Sequence, residues 1–314
     1  MPSMHELANW HVRACGCLAA TVIAAYGTGA TAAKLRICQA QEQAYAQLKP
    51  TATPLEINAA LSSAADKGCR ALAGRLLDDG ASLKARDRFG AMPLARAAMA
   101  GQQSIVDLFL ERGAAIDARN LDGSTALLLA AEGNKREAVA TLIAHGANVN
   151  LPGRSGISPL AAAAYAGRPD LARLLLDRGA DPNAVDATGK SAICYAAGRG
   201  FPDVVRLLLD RGVDPNRRYG NDLTALMWAA GYSDEAGTSD MEEIVKLLVG
   251  HGARIDDRDN RGRTALMIAA SLGHASIVDW LIAHGASVDV RDKSGKSAGD
   301  LAANAALRDR LTVR

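Results

Sequence analysis

The chain has 314 residues, 49% of them hydrophobic but only 4% aromatic, and carries a formal net charge of +2. So small a charge argues against binding nucleic acid through bulk basicity, and the apolar content excludes a long disordered chain. A globular core of this size ordinarily draws on more large side chains; a stack of thin helices built from Ala and Leu does not need them.

In chain order, the N-terminal stretch stands apart. Arg13 is followed by twenty uncharged residues, Ala14 to Ala33, before Lys34, and Ala30-Thr31-Ala32 supplies a small-x-small site. Basic, apolar and small-residue regions in that order read as a secretory signal peptide over residues 1–32, which implies a periplasmic or secreted protein. Two alternatives stay open. One is an uncleaved membrane anchor, for which the stretch is short and only moderately hydrophobic. The other is an Ala-rich capping helix on a cytoplasmic protein. Residues 33–54 read as a capping helix and linker, with an amphipathic pattern that ends before Pro50. Cleavage leaves Cys38, Cys69 and Cys194, none with Cys-x-x-Cys spacing. The simplest reading is three isolated small apolar residues, with a Cys38–Cys69 bridge as the alternative.

From residue 55 onward one pattern returns. A [Thr/Ser]-[Ala/Pro]-Leu string followed by Ala-Ala appears at Thr125, Ser158, Ser191, Thr224 and Thr264, in steps of 33, 33, 33 and 40 residues. Weaker copies lie at Ala59, Met92 and Ser297. A fixed period of this size is the mark of a stacked repeat protein. In each unit a Ser or Thr caps a first helix. An Ala-Ala pair such as Ala196-Ala197 keeps that helix thin. A Leu/Val/Ile face such as Val204, Val205 and Leu208 marks a second helix. Gly80, Gly113, Gly146, Gly179, Gly212, Gly252 and Gly285 each follow a second helix, where a left-handed backbone costs other residues roughly 1–2 kcal/mol.

These residues resemble the ankyrin repeat. Thr264-Ala265-Leu266-Met267-Ile268-Ala269-Ala270, Ile277-Val278, Leu281-Ile282 and Gly285-Ala286 follow its pattern almost position by position. The family's His after Thr-Pro-Leu is replaced in the units by Ala95, Leu128, Ala161, Cys194, Met227 and Met267. The resemblance implies an all-α repeat solenoid of about eight units over residues 55–314, helix-turn-helix units joined by hairpin-like turns and closed by a C-terminal capping repeat. The sixth unit departs. Its longer step places an acidic insertion at about 231–243, with Glu242 and Glu243 opening its second helix, and Asp222 stands where other units carry the turn glycine.

No catalytic constellation emerges from the chain. His145, His251 and His284 occupy one slot in different repeats, which Arg112, Arg178 and Arg211 fill elsewhere. A cation there suits a helix C-terminus, and equivalent atoms in stacked repeats lie about 10 Å apart, too far for shared metal ligation. The expectation is a non-enzymatic scaffold with no cofactor or metal, no nucleic acid and no small-molecule substrate, and with membrane contact only through an uncleaved anchor. The resemblance implies a protein partner on the concave face, docked on turn tips and first-helix ends. Those positions hold Phe89, Leu121, Ile157, Tyr219, Arg261 and Arg263 at the tips, and Met99, Glu132, Tyr165, Arg199, Tyr232 and Leu272 at the helix ends. Aromatics and Arg dominate interface energetics, so Phe89, Tyr165, Tyr219 and Tyr232 weigh most. A second reading keeps the fold but makes the protein a secreted effector or toxin-antidote component acting in or on another cell.

Overall fold

The computed structural model describes residues 32–231 and 238–312; residues 1–31 of the expected signal peptide and residues 232–237 of the expected acidic insertion, Tyr232 among them, lie outside the described residues. Helix α1 covers residues 32–48. Eight helix pairs come after it: α2 (Pro54–Lys67) and α3 (Arg70–Asp78), α4 (Pro93–Ala100) and α5 (Gln103–Glu111), α6 (Ala126–Glu132) and α7 (Arg136–Ala144), α8 (Pro159–Tyr165) and α9 (Pro169–Asp177), α10 (Ala192–Arg199) and α11 (Pro202–Asp210), α12 (Ala225–Ala230) and α13 (Thr238–Gly250), α14 (Ala265–Leu272) and α15 (Ala275–Ala283), α16 (Ala298–Leu301) and α17 (Ala305–Thr312). Among the described residues there is no strand, only an isolated bridge between Val185 and Ser191.

The first helices stack on one another from α2 through α16, and the second helices form a parallel layer behind them. Every residue of the Ala pairs from Ala97-Ala98 to Ala269-Ala270 is fully buried. A methyl group is all that fits where first helices pack this closely. Behind them Ile105, Val106 and Phe109, then Val204, Val205 and Leu208, continue one core along the stack. Side-chain oxygens of Thr125, Ser158, Thr224, Thr264 and Ser297 accept from the backbone N–H three residues on, as their N-cap positions require. The seven glycines that follow second helices all have positive φ.

An aspartate organises the turn between units. Asp186 Oδ1 accepts from Thr188 N at 2.8 Å and Lys190 N at 3.0 Å, and Asp87, Asn120, Asp259 and Asp292 repeat the arrangement. Thirty-three residues beyond Asp186 stands Tyr219, expected at a turn tip and found 6% exposed. It occupies the turn-aspartate slot, which points inward, so it is a core residue and not a docking residue. Arginines then stitch neighbouring turns together: Arg86 Nη1 donates to Gly90 O at 2.7 Å and to Arg119 O at 2.8 Å.

Two further expectations are corrected. Cys38 and Cys69 form a disulfide, against the simpler reading of isolated residues. The cause lies in how α1 docks. Tyr45 is buried and its hydroxyl donates to Asp79 Oδ2 at 2.9 Å, Lys49 pairs with Asp79 at 2.7 Å and Arg75 with Glu42 at 2.7 Å. This packing brings the two Cα atoms to 5.2 Å, a span that a disulfide bridges. Helix α13 begins at Thr238, earlier than Glu242, and runs 13 residues where α11 has 9. The extra turn buries Met241 in line with Ile244, Val245 and Leu248, at the spacing of one helical face. Glu243 pairs with Arg206 at 2.6 Å.

Asp222, in the slot of the turn glycine, has φ 60°, and its neighbour Asn221 has φ 64°. Asp222 is exposed. Asp222→Gly is expected to stabilise the protein by about 1 kcal/mol by relieving left-handed strain, less the added unfolded-state entropy. A urea melt showing no gain would mean that the loop absorbs the strain at no cost.

Candidate functional site

The first helices and the hairpin tips share one face, and among the described residues it carries a groove at its N-terminal end and another near its middle. The larger, about 790 Å³, lies at the N-terminal end and includes Leu55, Arg86, Arg88, Phe89 and Arg96. Phe89 is 51% exposed with the Arg88 guanidinium 4.7 Å above its ring. The cations at its base are engaged: Arg96 sits 3.8 Å from Asp66 and 3.7 Å from Asp87, and Arg86 is spent on backbone carbonyls.

The second groove, about 590 Å³, runs across α8 and α10 and the turn before α8. Four residues expected at the docking face meet in it: Glu132, Ile157, Tyr165 and Arg199. Tyr165 is half exposed, its ring meeting that of Tyr195 edge to face at 5.6 Å. The Arg199 guanidinium lies 4.1 Å from the Tyr165 centroid and 6.0 Å from that of Phe201. Lys190 Nζ lies 5.7 Å from the Tyr195 ring and 5.2 Å from that of Trp228, so the strip continues onto α12. Phe201 packs over Gly167, where a Cβ would meet the Phe201 ring at 2.5 Å. Gly167 also has φ 61°, so any larger residue there both clashes and strains the backbone.

The Tyr195 hydroxyl donates to Asp186 Oδ2. One carboxylate thereby shapes a turn with one oxygen and anchors a groove aromatic with the other. Burial alone would raise the Asp186 carboxyl; the hydrogen bonds from Tyr195, Lys190 and Thr188 outweigh it and hold the pKa below the ordinary value. Tyr195 is correspondingly raised, by desolvation first and then by the hydrogen bond to Asp186. Glu132 is raised above the ordinary carboxylate value by desolvation and secondarily by the charge of Asp122.

The other expected residues are scattered. Leu121, 61% exposed, donates its backbone N–H to Phe89 O on the neighbouring tip. Met99 and Leu272 are exposed singly at the ends of α4 and α14. Arg261 is exposed, its carbonyl accepting from Lys293 N. Arg263 is held by the buried Asp259 at 2.9 Å and serves the turn. His284 stacks on Trp280 at 3.7 Å on a second helix, and His145 meets Asp107 at 3.3 Å. Among the described residues no three His, Cys, Asp or Glu side chains gather as a metal site, and no helix is long and apolar enough to cross a membrane.

Sequence reading missed Tyr195 and Phe201, and with them the partly buried Trp228, which packs against the core. A signal existed for each. Phe201 fills a slot that is Gln102, Lys135, Arg168 or His274 in other units. Tyr195 and Trp228 precede the Ala-Ala pair where Ala162 and Ile268 stand elsewhere. An aromatic in a slot otherwise polar or aliphatic marks a surface given to something other than stacking.

Comparison with protein families agrees with the architecture. A model described as ankyrin repeats (3 copies) matches residues 61–153, 94–186, 160–238, 193–293 and 234–309. No curated protein matches the chain.

Proposed function

The chain belongs to the ankyrin-repeat family, whose repeats generally mediate protein–protein interaction, and from that premise we propose that it is a non-enzymatic scaffold holding a partner protein on its concave, first-helix face, centred on the groove of Tyr165 and Arg199. The observation that carries this reading is the clustering at one groove of the half-exposed Tyr165 with the partly buried Tyr195, Arg199 and Phe201, in a chain with few aromatics. Such residues concentrate binding energy where they line a concave site.

The compartment belongs to the same proposal. A Cys38–Cys69 disulfide supports an oxidising location outside the cytoplasm, in keeping with the charge order of residues 1–32. The N-terminal residue of the protein from its host tests this. A start near Ala33 supports export, and an intact Met1 in the cytosol overturns it.

The scaffold reading is tested by placing a photo-reactive phenylalanine at Tyr165, with Arg173, exposed on the second-helix layer, as control. A discrete protein adduct at position 165 and none at 173 is expected. Arg199→Ala should reduce the adduct about tenfold. Tyr165→Ala together with Arg199→Ala should cost less than about 1 kcal/mol of stability, as partly exposed residues do. Equal adducts at both positions, or none at 165, would reject the site.

A further inference from the structure

Given a partner on the first-helix face, the charges of the second groove say more about that partner than the groove's shape does. Elsewhere in the stack many cations are matched: Arg112 with Asp78, Arg211 with Asp177, Arg206 with Glu243, Arg263 with Asp259. Arg199 and Lys190 are not. Among the described residues neither has a carboxylate within ion-pair reach, and each lies instead against aromatic rings. The Arg199 Nε is buried without a hydrogen-bond partner among these residues, and the same holds for the Trp228 indole N–H at the far end of the strip. Among the described residues the strip is therefore a run of donors and positive charge without acidic partners, set on an aromatic floor.

That arrangement discriminates. An exposed ring cluster is usually fit to receive a partner's cation. Here the rings already hold the chain's own cations, so an incoming Lys or Arg would meet two like charges. An incoming carboxylate would meet two unpaired ones, in a partly desolvated site where charge-assisted hydrogen bonds are strong. Lys190 stands in the turn just before α10 and Arg199 is the last residue of that helix, whose eight residues span about 12 Å at helical rise. One carboxylate does not reach both, and on the scaffold reading an extended segment of the partner does. Glu132 stands on the opposite wall and repels acid from that side, which leaves the surface of Ile157 and Tyr165 to apolar side chains. The N-terminal groove shares part of this character, with Arg88 over the Phe89 ring, but Arg96 there faces the carboxylates of Asp66 and Asp87 and Arg86 is held by backbone carbonyls.

Building on the scaffold reading, we infer that the strip from Ile157 to Trp228 docks an acidic peptide segment of the partner, with Asp or Glu carboxylates on Arg199 and Lys190 and adjacent apolar side chains on the Tyr165 and Phe201 rings.

The experiment is selection of a displayed library of short random, unmodified peptides on the full chain, followed by titration of the best fluorescein-labelled peptide. Enriched sequences should pair carboxylates with apolar residues. Affinity should fall about tenfold with Arg199→Ala and with Lys190→Ala, fall with added salt, and rise with Glu132→Gln. Circular dichroism melts of the three variants check that each remains folded. Basic or neutral winners, or acidic winners indifferent to Arg199 and Lys190, overturn the inference. If such winners still cross-link at position 165, the scaffold reading stands without it. If no peptide is enriched and position 165 yields no protein adduct, both fall.

Discussion

Reduction of the Cys38–Cys69 bridge, or Cys38→Ser, is expected to release α1 from the stack and lower stability by up to about 3–4 kcal/mol. That is the chain-entropy value for closing a loop of 31 residues. The remaining contacts of α1 are few. Tyr45 is its one buried side chain, and the polar ties through Lys34, Gln41 and Glu42, with that of Lys49 just beyond the helix, involve exposed or half-exposed groups. Surface pairs of that kind contribute little. In a stack where each unit touches only its neighbours the loss stays local. Hydrogen exchange should therefore rise across residues 32–48 and in α2 and α3 while α10 to α14 stay protected. Thiol counting provides an independent check. The protein starting near Ala33, denatured without reductant, should show one thiol, Cys194. Native protein should show none, because Cys194 is buried and desolvation pushes its pKa up to about 11. Three thiols in that denatured, unreduced sample would mean that the bridge does not form.

Replacing Asp186 by alanine is expected to cost about 2–3 kcal/mol and to loosen the groove as well. The change removes acceptors for two backbone N–H groups, for the Thr188 hydroxyl and for the Tyr195 hydroxyl, all around a residue only 8% exposed. Hydrogen bonds to a buried charged group are worth more than neutral ones, and the stranded donors add a desolvation cost. Tyr195→Phe should cost only about 1 kcal/mol, since it removes one of the four. The pH dependence separates a charge effect from a packing effect. Because the folded state holds the Asp186 carboxyl below its ordinary 3.8, its contribution is fully present above that value. It is lost as pH falls through the folded pKa. Wild type should therefore lose stability below about pH 4 more steeply than Asp186→Ala. Parallel acid profiles would show that the carboxylate's charge is not what the turn depends on.

Much of the architecture was legible without coordinates because a repeat states its local rules several times. The caps at Thr125, Ser158, Thr224 and Thr264, the buried Ala pairs and the left-handed glycines are each decided within a few residues of sequence. Asp222 shows that even a departure is readable, since its slot required a positive φ and it has one. The docking face was read less well. Glu132, Ile157, Tyr165 and Arg199 come together as one surface, but Tyr219 turned inward and Arg263 was taken by Asp259. Counting back one period from Tyr219 to Asp186 would have placed it. Tyr195 and Phe201 were missed because the docking face was drawn from turn tips and first-helix ends, and their slots are neither.

The sequence by itself determined the period, the helix pairs, the caps and the thin first-helix layer, because these follow from backbone conformation and spacing within a single unit. Only the tertiary structure decided that α1 folds back to join Cys38 to Cys69 and that Arg199 and Lys190 lie on aromatic rings with no described carboxylate beside them. Each of these depends on the surface that a neighbouring unit presents. Contacts between residues thirty or more positions apart are set by packing, which no local pattern records.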